Sequence, residues 1–278
     1  MAARPPDSRL PEVLDGRRVT GPVSQRYEDV DQEGRLLLVS LPHALGELVW
    51  PDVMKDPETV SLALDGVIPI LTRLRLEVGD GPVSAIQPLR GEAAWHRATV
   101  RDPQGALSRI VLVMEVNLSA PEGVTMAPPD PEAPILHVGS ILAEHAYTRP
   151  FAPPAERRVL DLCGRVPEAS WTERVFHLVA PLPPPEIAFN STYHTFGIMH
   201  SDPNGHVNSL VYPRLFQEQA ILLTGRREAA RRIDVHWRKP FFSGDTARLA
   251  QWVTADGAVH GAFLDATDQV RCRIELSW

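Results

Sequence analysis

The chain has 278 residues, 44% of them hydrophobic and 23% charged, with a formal net charge of -7 at neutral pH. That length suits two units, or one fused double unit, of roughly 100–200 residues each. The acidic balance argues against nucleic acid as the main partner, since phosphate binding needs concentrated positive charge, and no apolar run approaches the roughly 20 residues of a membrane helix.

In chain order, the opening "MAARPPDSRLPEVLDGRRV" is proline-rich and charged without the central apolar segment of a secretory signal. It predicts a flexible leader over residues 1–22 and a cytoplasmic location as the default. A first unit is expected over 23–122. There Asp56-Pro57-Glu58 supplies a cap, a proline at the first helical position and a first-turn acid. Val60, Leu64, Val67, Ile68 and Leu71 continue it as an apolar stripe, which Gly66 and Pro69 kink or shorten. "RGEAAWHRATVRDPQGALSRIVLVMEVNL" then predicts a strand through Val100, a turn at Asp102 to Gly105 and a long strand ending near Leu118.

Proline marks the joints, because it lacks the backbone donor and fixes φ. "APPDPEAP" and "RPFAPPAE" predict a linker over 123–155, and a third run, "APLPPPE", lies at Ala180 to Glu186. The second unit is expected over 156–278. "TYHTFGIMH" alternates like a strand, and Ser201-Asp202-Pro203-Asn204-Gly205 is turn chemistry. A helix follows, capped by Asn208 or Ser209 and starting at Leu210 or slightly later, since Pro213 is tolerable only in a first turn. Its apolar face is Val211, Leu215, Phe216, Leu222 and Leu223, and Gly225 offers a stop.

The arginines from Gly225 to Lys239 read as a solvated helix end and strand, or else as a docking patch for an acidic carrier or a cofactor's phosphates. The C-terminal stretch from Ser243 gives strand, turn, strand, turn, strand. Gly91-Glu92 and Gly244-Asp245 stand at similar distances ahead of hairpin turns, a weak internal repeat. Cys163 and Cys272 lack metal-ligand spacing and are expected as buried thiols. Together these elements describe an α+β unit whose curved antiparallel sheet wraps a central helix, present twice.

The chemistry concentrates in "HSDPNGHVNSLVY". Turn residues explain Asp202, Pro203, Asn204 and Gly205, but not His206 and Asn208. The cluster sits at a helix N-terminus, whose free N–H groups can polarise a carbonyl. Glu218 falls close to the apolar face of that helix, where an acid is costly unless paired.

The order Asp202-x-Asn204-x-His206-Val207-Asn208, then Tyr212 and Glu218, resembles the signature of hot-dog-fold acyl thioesterases, in particular the acyl-ACP thioesterases, which are tandem double hot-dogs, and the wider 4-hydroxybenzoyl-CoA thioesterase group. The resemblance implies thioester hydrolysis without a serine triad, and no G-x-S-x-G elbow occurs. In that reading Asp202, Asn204, His206 and Glu218 are catalytic, while Gly205, Val207, Asn208 and Tyr212 bind substrate. The carbonyl would face N–H groups of the Gly205 to Asn208 segment. Asp202 or Glu218 would activate water, or Asp202 would attack directly. Asn204 would hold the water or the carbonyl, and His206 would orient a carboxylate or share its proton.

The substrate implied is a fatty or polyketide-like acyl-CoA or acyl-ACP, with no metal or redox cofactor, and a homodimer is among the expected assemblies. Ser209 replaces the second Asn of the family string, and Lys239 to Phe242 lack the acid that plant-type relatives carry on the next strand. His200 stands where relatives often have an acid, a candidate substitute base.

Two alternatives stay open. "HALGELVWP", from His43, loosely resembles the motif of double hot-dog dehydratases, with His43 as base and Asp202 as acid; for a thioesterase His43 is a loop residue of no consequence. The other alternative is a non-catalytic acyl- or carrier-binding module.

Overall fold

A computed structural model describes residues 17–124, 126–171 and 190–278. The chain divides into two compact units, one built from Met1–Leu71 and Val78–Glu173, the other from Thr72–Glu77 and Arg174–Trp278. The first sixteen residues of the expected leader and the proline run at Ala180 to Glu186 lie outside the described residues. No helix among the described residues is long and apolar enough to cross a membrane.

The first unit begins with β1 (Arg17–Val23), then a π-helical turn (Leu45–Val49) that runs into α1 (Trp50–Val53), and α2 (Pro57–Leu64). β2 (Ile68–Val78), β3 (Leu89–Arg101), β4 (Leu107–Pro121) and β5 (Ile135–Thr148) follow. Its sheet has the order β1-β3-β4-β5, antiparallel throughout. Residues 17–22, expected in the leader, are therefore strand, paired from Arg17 opposite Trp95 to Val23 opposite Leu89.

The expected linker over 123–155 is corrected too, since β5 occupies its middle. The prolines flank this strand and none lies inside it, so no backbone donor is missing from its ladder with β4. The first unit also continues past the expected boundary, because the Trp171 N–H donates to the Thr99 carbonyl at 2.8 Å and its indole N–H to Glu144 at 3.0 Å.

The helix that packs on this sheet is not the stripe read from Val60 onward. Leu45, Leu48, Val49 and Val53 are buried, at helical spacing, and the π-helical turn lies against β1, β3 and β4. Gly21 and Gly91 face each other across the ladder, and a Cβ at Gly91 would lie 2.2 Å from Leu48 Cδ1. The glycine pair is thus the seat of the helix. α2 is capped as expected, with the Asp56 carboxylate accepting the Thr59 N–H at 3.1 Å. It ends at Leu64, 84% exposed, because Gly66 at φ 72° turns the chain and Ile68 opens β2.

The second unit holds β6 (Asn190–Thr195), α3 (Val211–Thr224), β7 (Arg232–Trp237), β8 (Thr246–Val253), β9 (Val259–Leu264) and β10 (Val270–Ser277). The central part of β2 belongs to this unit and pairs with β7, giving β2-β7-β10-β9-β8-β6, antiparallel where the ladders are described. α3 buries Tyr212, Phe216 and Ala220, one turn apart, against β8 and β10.

Leu222, expected on the apolar face, is instead exposed. Phe216 rests on Gly261, where a Cβ would come within 2.7 Å of its Cε2. Each unit therefore seats one helix on a sheet glycine. Gly225 ends α3 at φ 68°, its N–H on the Ile221 carbonyl at 2.8 Å.

Both hairpin turns form where expected. The Gly-acid echo is not structural: Gly91 is mid-strand, whereas Gly244 lies in a turn at φ 93°. Of the two thiols Cys272 is buried and Cys163 is exposed, so the expectation holds for one.

Candidate active site

The loop ahead of α3 begins with a 3-10 turn, Ile198–His200, and ends at Leu210, the N-cap residue of α3. Asp202 braces it. One carboxylate oxygen accepts the N–H groups of Asn204 at 2.8 Å and His206 at 3.1 Å, while the Asp202 N–H donates to the His206 carbonyl at 2.8 Å. Gly205, at φ 76°, donates its N–H to the Asp202 carbonyl at 2.9 Å, a turn that a side chain there would strain. Val207 donates to the Phe241 carbonyl and Asn208 to the His200 carbonyl, each at 2.8 Å.

These bonds correct the expected oxyanion arrangement. All four N–H groups from Gly205 to Asn208 already have protein acceptors, so none is spare for a substrate carbonyl. The cap differs as well: Leu210 is the N-cap residue, and the Asn208 side chain works one step earlier, accepting the Leu210 N–H at 2.9 Å.

Two residues expected to bind substrate belong to the core. Val207 is buried, and Tyr212 is 1% exposed inside a ring cluster with Phe196, Trp237, Phe241 and Phe263. The Tyr212 hydroxyl accepts the Phe241 N–H at 3.2 Å, and burial pushes its ionisation above the usual tyrosine range.

The polar side chains separate into two groups. Asp202, Asn204 and His206 share the braced turn. Asn204 is exposed, and the His206 ring meets Phe242 edge-on at 5.2 Å between centroids. Glu218 lies elsewhere. It is solvent-exposed, at 57% of its side-chain surface, and loosely paired with Arg214 at 3.5 Å, not placed against the apolar face as expected. No described contact joins it to Asp202, Asn204 or His206; its charge acts on His194 of β6.

His194 of β6 is a further polar residue at this site, outside the motif. Its ring lies 5.1 Å from that of His200 and 5.2 Å from Phe196, and its Nε2 is buried with no hydrogen-bond partner among the described residues. Burial, then the neighbouring His200, hold its titration below the ordinary imidazole range, while Glu218 pulls it upward. The alternation of "TYHTF" was the available signal, because it puts His194 on the same face as buried Phe196.

Asp245 is the first acid after the bare Lys239 to Phe242 stretch, and it is occupied with the Phe242 N–H at 2.9 Å. With Phe241 and Arg271 it lines a recess of about 340 Å³, within the range of small-molecule pockets. His43, expected in a loop, stands at the head of the helical stretch with its Nε2 on Glu47 at 2.9 Å. Of the basic run, Arg226 pairs with Glu228 at 3.6 Å and Arg232 with Asp234 at 2.7 Å.

No family model and no curated protein sequence matches the chain. Solved structures do. An acyl-ACP thioesterase from Bacteroides thetaiotaomicron superposes with a TM-score of 0.61 at 15% identity, over 94% of this chain and 97% of that one. The 12:0-ACP thioesterase from Umbellularia californica gives 0.61 at 11% identity, over 95% and 96%. A MaoC-like dehydratase from Phytophthora capsici gives 0.53 at 12% identity, over 95% and 96%. The fold is a double hot-dog. Thioesterases and a dehydratase share this double hot-dog architecture, so the chemistry has to be argued from the site.

Proposed function

We propose that this double hot-dog hydrolyses acyl thioesters, a fatty or polyketide-like acyl group on CoA or on an acyl carrier protein. The observation that carries the reading is the braced turn from Asp202 to Asn208, which supports Phe241 on one side, His200 on the other and the head of α3 at its end. Such a loop keeps its shape without substrate, as positioning of reacting groups requires.

Asp202 acts as a positioning residue, since its carboxylate and N–H together fix the His206 backbone. Asn204 and His206 present side chains to the substrate. Glu218, loosely paired with Arg214 at 3.5 Å, is the general base that takes a proton from water. Asn208 shapes the mouth, and Gly205 permits the turn.

The test is release of free thiol from acyl-CoA and acyl-carrier substrates of several chain lengths. His206→Ala is expected to lower turnover about a hundredfold, the scale of a lost acid–base or orienting group. Undiminished turnover would remove His206 from the site, and no thiol release with any substrate would leave a binding module. The dehydratase alternative predicts that His43→Ala abolishes activity; in the hydrolase reading His43, paired with Glu47, is of no consequence, and the variant should behave as the parent. A homodimer is checked by sedimentation.

A further inference from the structure

His200 and Gly197 exchange two hydrogen bonds. The His200 N–H donates to the Gly197 carbonyl at 3.0 Å, and the Gly197 N–H donates to His200 Nδ1 at 3.0 Å. The second bond exists only while Nδ1 carries no proton, so the neutral ring must carry its proton on Nε2. The ring is also held by its neighbours, with His194 at 5.1 Å, tilted by 54°, and Phe196 edge-on at 6.0 Å. The His200 carbonyl accepts the Asn208 N–H at 2.8 Å, which ties this ring's residue to the end of the braced turn. Position 200 therefore offers a fixed N–H donor.

The braced turn lacks what hydrolysis requires. Attack on a thioester carbonyl creates an oxyanion, and one oriented donor to it is worth about a hundredfold or more in rate. The four backbone N–H groups from Gly205 to Asn208 are all engaged. We propose that His200 is the oxyanion donor of this site, presenting a neutral, tautomer-locked Nε2–H to the thioester carbonyl, with His194 packed beside it as a positioning residue; this rests on the hydrolase reading above. A neutral imidazole can polarise a carbonyl in this way.

In the step, water oxygen bonds to the carbonyl carbon as its proton passes to Glu218, and the carbonyl π pair moves to the oxygen held by His200. Collapse re-forms the carbonyl, breaks the C–S bond and returns the proton from Glu218 to sulfur, leaving carboxylic acid and thiol. His194 suits its place, because its ring packs against that of His200 at 5.1 Å and so limits how the His200 ring can turn. Its buried Nε2, without a hydrogen-bond partner among the described residues, lies at the same cluster.

Two amides divide the functions of the ring. His200→Asn places an acceptor near Nδ1 for the Gly197 N–H but has nothing at Nε2, whereas His200→Gln reaches the Nε2 position with an N–H. With an acyl-CoA substrate that the parent hydrolyses, His200→Asn should lower kcat at least about a hundredfold with KM within about threefold. His200→Gln should stay within about tenfold of the parent. Equal losses in the two, or a parent-like His200→Asn, would overturn the donor assignment while leaving hydrolysis intact; a parent that releases no thiol would overturn the hydrolase reading itself.

Should either variant fail to fold, nitrogen-15 histidine spectra of the unaltered protein decide the matter. The proposal requires His200 to carry its proton on Nε2, and a proton on Nδ1 would refute it. For His194, replacement by Phe keeps a packed ring, and a kcat loss of about tenfold with unchanged KM and melting temperature is expected. A lowered melting temperature with parent-like kcat would assign His194 to packing alone.

Discussion

At the scale of single residues, Asp202 illustrates how a carboxylate in a motif can serve the backbone. One of its oxygens accepts two loop N–H groups, which an amide oxygen can do equally well. Asp202→Asn is therefore expected to keep turnover within about fivefold, while Asp202→Ala releases both donors and costs about a hundredfold, the scale of a misplaced group. A hundredfold loss in Asp202→Asn would make it the base after all. Tyr212 is the second case. Tyr212→Phe strands the buried Phe241 N–H, so urea unfolding should show a loss of about 1–3 kcal/mol. The sequence made the residue types and order of this site legible, because turn chemistry and helix caps are local. It did not reveal that the loop consumes its own donors, nor that Glu218 faces water and His194 faces His200, since those depend on partners brought in by other strands.

Among the elements, α2 is shorter than the apolar stripe of its sequence. Its start was legible from Asp56-Pro57-Glu58, but the stripe beyond it crossed Gly66 into a strand, where two-residue alternation replaces helical spacing. The helix that does pack on the sheet was hidden in "HALGELVWP", whose glycine and proline discourage a helical reading. β5 was hidden by the prolines at its two ends.

Asp56 does more than cap. Burial opposes its charge, but hydrogen bonds from Arg97 and the Thr59 N–H win and hold the carboxyl below its usual range, and Arg17 adds a contact at 2.6 Å. Asp56→Ala should cost about 3 kcal/mol in denaturant unfolding, the lower end for breaking a buried pair, because Arg97 retains Glu58 at 3.2 Å.

For the whole molecule, a buried histidine and a half-buried glutamate of the first unit set opposing pH dependences. Burial lowers His145 from 6.5 to about 3 and raises Glu115 from 4.5 to about 7. Unfolded His145 takes up a proton below its ordinary value and folded His145 does not, so stability falls as pH drops from about 6.5 toward 3. Glu115 acts in reverse. Its proton stays bound in the fold, and the associated stability is lost as pH rises from about 4.5 through 7. The two trends oppose each other over the shared window, and the acid side belongs to His145. Glu115→Gln should raise the urea midpoint relative to the parent at pH 8, with little difference at pH 4; equal effects at both would contradict the assignment.

Residues Thr72–Glu77 lie in the first half of the chain yet complete the second unit beside β7. At roughly 5–20 residues per second on the ribosome, β2 emerges about 8–30 s before its β7 partner exists. Its Leu74 and Leu76, buried in the finished protein, spend that interval in a nascent chain whose second unit is still unmade. Chaperone demand during synthesis should therefore peak before β7 appears, and slowing translation between these strands should lengthen the exposure.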